Sequence, residues 1–72
     1  MTSSTKKVEQ NLRKNIRKYR KMLGFTQLQL SIKAEVSKDF IYDLEAGRRN
    51  PSLDVLCKLA DALKVEPYEL LK

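Results

Sequence analysis

The chain has 72 residues, enough for one small domain and too few to enclose a deep substrate pocket. Apolar residues make up 42% and charged residues 33%, with two Gly and two Pro, a globular balance rather than a disordered or fibrous one. Histidine is absent, and the single Cys57 excludes an internal disulfide and a cysteine-based zinc site.

Fifteen Lys and Arg against nine Asp and Glu give a net charge of +6. The excess sits at the start. Lys6, Lys7, Arg13, Lys14, Arg17, Lys18, Arg20 and Lys21 stand against Glu9 alone, so residues 1–24 carry +7. A basic first third fits a polyanionic partner through steering and counterion release. Charge alone fits a solvated helix face or an acidic membrane surface equally well. The longest apolar run is three residues, Phe40 to Tyr42, so nothing spans a membrane. The polar start Met1–Gln10 lacks the apolar segment of a signal peptide, and a cytoplasmic location is expected.

Apolar residues at three- and four-residue spacing (Val8, Leu12, Ile16, Tyr19, Met22, Leu23) predict a first helix from about 8 to 23. Residues 1–7 are expected to form a flexible basic arm, with residues 2–5 disordered, ahead of a single domain over 8–72. Gly24 ends the first helix. Thr26 caps the second, and Gln29 completes a capping box with it. Ser37 caps a third helix with Phe40, Ile41 and Leu44 as core residues, and Gly47 stops it. Residues 47–51 form a turn. Ser52 caps a fourth helix whose stripe is Leu53, Leu56, Leu59, Ala60 and Leu63, with Cys57 expected as a buried small hydrophobe. Pro67 fits the first turn of a short last helix. The expected fold is all-α, with five helices and a tight turn at 34–36 that sets the second and third as a helix-turn-helix.

The run Thr26-Gln27-Leu28-Gln29-Leu30-Ser31 through Asp43-Leu44-Glu45 resembles the helix-turn-helix of the phage repressor/Cro family, the lambda repressor-like or XRE-type group. The stretch Ala46 to Leu56 and the run Leu59 to Val65 continue the likeness, which covers about residues 12 to 71. The resemblance implies a five-helix DNA-binding domain that controls transcription, usually as a dimer on a palindromic operator. Glu35 stands where the family often has Gly, in a left-handed turn that costs a non-glycine residue about 1 kcal/mol. Ser31 stands where Ala is favoured, which fits if its hydroxyl bonds back to the helix.

That resemblance aims Lys38 and Asp39 at base edges, and Tyr42 and Asp43, four residues beyond them on the same face, are expected to join them. Lys donates to guanine O6 and N7, and Asp accepts from cytosine N4. The resemblance implies backbone contacts from Gln27, which also braces recognition-helix side chains, and from Arg48, Arg49 and Asn50; the Ser37 cap, Arg17, Lys18, Lys6 and Lys7 are further candidates by position and charge. Arg20 and Glu45 are expected to form a structural ion pair between the first and third helices. Val65, Tyr68, Leu70 and Leu71 crowd the last residues and are expected to form a homodimer patch. No metal, cofactor, small-molecule ligand or catalytic residue is expected: Ser37 and Ser52 have no His to activate them, and the carboxylates show no ligand motif. The expected partner is double-stranded DNA. The alternative is an antitoxin or other protein-interaction module on the same fold, with DNA binding secondary.

Overall fold

The computed structural model describes residues 3–72. Four α-helices follow one another: α1 over Ser3–Met22, α2 over Gln27–Ala34, α3 over Lys38–Ala46 and α4 over Leu53–Leu63, and the expected short last helix is a 3₁₀ helix at Pro67–Leu70. Local chemistry sets the boundaries. Gly24, at φ +73°, turns the chain out of α1, and the Phe25 N–H bonds back to the Arg20 carbonyl at 3.0 Å. Thr26 Oγ1 accepts from the Gln29 N–H at 3.0 Å while Gln29 Oε1 accepts from the Thr26 N–H at 2.8 Å, a complete capping box. The hydroxyls of Ser37 and Ser52 accept from the Phe40 and Val55 N–H groups, as caps of α3 and α4.

Helix α1 begins well before the expected position. Residues 3–7 are helical rather than a flexible or disordered arm, because no Gly or Pro interrupts them and extending a nucleated helix is easy. Met1 and Thr2, the rest of that expected arm, lie outside the described residues.

The core collects one face from each element: Leu12 and Ile16, Leu30 and Ala34, Ile41 and Leu44, then Leu56, Leu59, Ala60 and Leu63, closed by Leu70. Phe40 packs at its edge, half-buried. Several stripe residues fall outside. Leu53 is 81% exposed because the first turn of α4 projects beyond its neighbours. Val8 and Met22 lie exposed toward the two ends of α1, past the helices that cover its middle. Cys57 is exposed, not buried: it sits one residue beyond Leu56, about 100° around α4 and off the inward stripe. Leu70 is fully buried, which removes it from the expected dimer patch. The carbonyls around it are held by α1, where Asn15 Nδ2 donates to Leu70 and Lys72 at 3.1 and 2.8 Å and Asn11 Nδ2 donates to Leu71 at 3.3 Å.

The turn between α2 and α3 adopts the expected left-handed conformation at Glu35, with φ +60°. Buried Ser31 bonds back to the Leu28 carbonyl at 2.6 Å, which satisfies its hydroxyl inside the α2 packing surface. Lys64 is a second left-handed non-glycine residue, at φ +61°, where α4 ends. Its sequence carried no sign of this conformation.

Candidate nucleic-acid interface

The tight turn brings the start of α3 to the surface. Lys38, Asp39 and Tyr42 are exposed there, and Asp43 is half-buried on the same side, four residues beyond Asp39. Ser37 is the α3 cap, so its hydroxyl is already committed to the Phe40 N–H.

Behind this face sits a clamp. Arg20 Nε and Nη2 donate to Glu45 Oε2 and Oε1 at 2.6 and 3.0 Å, a bidentate pair linking α1 to the end of α3. The third side of the guanidinium donates to the Phe25 carbonyl at 2.9 Å, and Gln27 Nε2 donates to Glu45 Oε1 at 3.2 Å. Both charged side chains are nearly buried, at 11% and 7% exposed. The expected ion pair forms, and it also carries the first residue of α2. Three elements are therefore fixed around one carboxylate, which sets the angle of α3 relative to α2.

The loop after α3 is organised by the recognition helix itself. Arg48 lies over the Tyr42 ring, 5.3 Å from its centroid, and reaches Asp43 Oδ1 at 3.4 Å. Side-chain hydrogen bonding with Tyr42, and then with Asp43, pushes the Arg48 guanidinium above its ordinary value. Arg49 lies over Phe40 at 5.0 Å. Asn50 donates to Glu9 on α1 at 2.7 Å. Tyr42 and Asp43 thus hold an arginine in this state, a role their spacing did not reveal.

Arg17 is exposed and lines a recess with Gln27, Tyr42, Glu45 and Arg48, so it joins the α3 face from α1. Arg13, which the sequence pattern left without a role, lies across Gly47: a Cβ there would overlap its guanidinium. The three- and four-residue spacing of Arg13, Arg17 and Arg20 was the available signal. At the other end of the chain, Val65 is half-buried and Tyr68 is 62% exposed, while Leu71 is half-buried beside an apolar groove of about 440 Å³ with Val8, Leu53 and Pro51. Among the described residues no cluster of His, Cys, Asp or Glu suits a metal ion, and no helix is long and apolar enough to cross a membrane.

A short helix pair with a presented second helix and a braced base defines a helix-turn-helix architecture. The chain belongs to the helix-turn-helix family HTH_3, whose profile matches residues 16–70. It is 37% identical over 57 residues to an uncharacterised HTH-type transcriptional regulator of Sinorhizobium fredii, covering 79% of this chain and 74% of that one. It is 45% identical over 53 residues to the immunity repressor of Bacillus phage phi105, covering 74% of this chain but only 35% of that protein. Among solved structures, the restriction-modification controller protein C.AhdI of Aeromonas hydrophila superposes with a TM-score of 0.81 at 32% identity, over 92% of this chain and 97% of that one. The family and these relatives are HTH-type regulators, not enzymes.

Proposed function

We propose that this protein is a sequence-specific double-stranded-DNA-binding regulator of transcription that acts as a homodimer on a palindromic operator, in the manner of a phage repressor or a restriction-modification controller. The observation that carries the reading is the exposed start of α3, with Lys38, Asp39 and Tyr42 on a helix held rigidly by the Arg20–Glu45–Gln27 clamp. A single α-helix fits the major groove, and a preset helix angle lets its side chains reach base edges. Lys38 and Asp39 read bases. Tyr42 and Asp43 share that face and also position Arg48. Gln27, Ser37, Arg17, Arg48, Arg49 and Asn50 supply the backbone side of the contact.

One short helix reads few base pairs, so a second copy about 34 Å along the duplex supplies the remaining specificity. The apolar groove beside Val8, Leu53 and Leu71, with Val65 and Tyr68 nearby in sequence, is the surface we assign to the second copy. Selection of bound duplexes from a random pool tests the whole reading. An enriched two-fold symmetric sequence is expected. A pool that shows no enrichment, from a folded protein, sinks it and favours the protein-interaction alternative.

A further inference from the structure

We infer that the N-terminal half of α1 carries a further duplex-backbone site, in which Lys6 and Arg13, with Gln10 between them, hold phosphodiester groups beside those held by Arg48 and Arg49. This rests on the duplex-binding reading above and extends it to residues outside the 16–70 segment that the family matches.

Lys6, Gln10, Arg13, Arg17 and Arg20 recur every three or four residues along α1. At about 100° per residue they lie within an arc of about 80°, in a ridge about 21 Å long. The last of them is consumed by Glu45. The first three face a polar recess of about 430 Å³ that Arg48 and Arg49 line from the opposite side. Among the described residues, neither Lys6 nor Arg13 forms an ion pair or a side-chain hydrogen bond. Glu9 is the one carboxylate lining the recess, and its Oε2 is occupied by Asn50. Four cations, of which Arg48 is also paired with Asp43, against the one carboxylate lining the recess leave a concave surface of net positive charge. Gly47 is what opens it, since its missing Cβ is the space through which Arg13 passes. The recess adjoins the α3 face at Arg48, which borders both it and the one that contains Gln27 and Tyr42. A duplex seated on α3 therefore meets this ridge with its backbone.

The test is the salt dependence of duplex affinity between about 50 and 200 mM, measured on the enriched duplex and on a scrambled one. The variants are Lys6→Ala, Lys6→Glu, Arg13→Ala and Arg13→Lys. Each lost cation is expected to flatten the log–log slope by about one unit per bound protomer, and to weaken both duplexes by the same factor. Lys6 is exposed near the start of α1, where a glutamate suits the helix dipole, so Lys6→Glu reads the effect without disturbing the fold. Arg13→Lys is expected to restore the slope, which a purely packing role over Gly47 would not require. A steep wild-type slope that is unchanged in Lys6→Glu and Arg13→Ala overturns this site and leaves the α3 reading standing. A wild type without salt-sensitive duplex binding overturns both.

Discussion

Helix α1 presents two arginines of like chemistry in opposite circumstances. Arg20 has a carboxylate and two further partners around it and is almost withdrawn from water. Arg13, about two turns earlier on the same side, crosses the bare backbone of Gly47 and forms no ion pair among the described residues. The side chains are the same; what stands opposite differs. The end of α3 offers Glu45 to one and a glycine to the other. A charged residue becomes structural where its neighbour neutralises it, and stays available for a ligand where the neighbour offers only space.

That contrast breaks most readily at the clamp. Arg20→Ala leaves the Glu45 carboxylate nearly buried with only Gln27 beside it, and is expected to cost about 3–5 kcal/mol of stability by urea unfolding. Removing both partners should cost less than the sum of the two single changes, since neither charge is then orphaned. Strict additivity in that cycle would show that the pair does not act as a unit.

On the presented side, the effects should appear in binding and not in folding. Lys38→Ala is expected to cost about 1–3 kcal/mol on the preferred duplex and to relax the preference at one position of each half-site. Arg48→Ala should weaken preferred and scrambled duplexes equally, as a backbone contact would. Titrations on single-substituted duplexes separate these patterns, and a uniform loss for Lys38→Ala would remove it from the reading set.

Smaller effects probe the turn that joins the two regions. Glu35 is held at φ +60°, so Glu35→Gly is expected to stabilise the protein by about 0.5–1 kcal/mol in thermal or urea unfolding. A loss of stability would mean that the Glu35 side chain, 3.9 Å from Lys58 Nζ, contributes more than its left-handed backbone costs. Smallest of all, Cys57→Ser should change stability by no more than about 0.5 kcal/mol, because the thiol is exposed on α4. A core-sized loss would restore the buried position that the α4 pattern first suggested.

Much of the fold was legible because short-range chemistry writes it. Thr26 with Gln29, Ser37, Ser52, Gly24 and Gly47 mark helix ends by hydrogen bonds and backbone freedom that span only a few residues. The Arg20–Glu45 pair was legible through resemblance rather than spacing, since 25 residues separate its partners. The misplaced residues share a cause. Periodicity says which side of a helix is apolar but not how far the neighbouring helices reach along it. Leu53 and Val8 fit their stripes yet lie beyond the packed zone, and Leu70 fits a surface patch yet plugs the core. Asn11 and Asn15 look like solvated helix residues until the carbonyls of the last turn are set beside them.

By itself the sequence determined an all-α chain, the caps of its three later α-helices and a first third dense in positive charge. Those properties depend on residues near one another along the chain, where steric preference and local hydrogen bonding act directly. Tertiary structure alone decided which cations are spent and which remain, that Arg48 and Arg49 are seated on Tyr42 and Phe40, and that Arg13 passes over Gly47 into an open polar recess. Coulomb attraction weakens with distance, so a charge is neutralised chiefly by what lies within a few ångströms of it. Those distances exist only once α1 has packed across the end of α3.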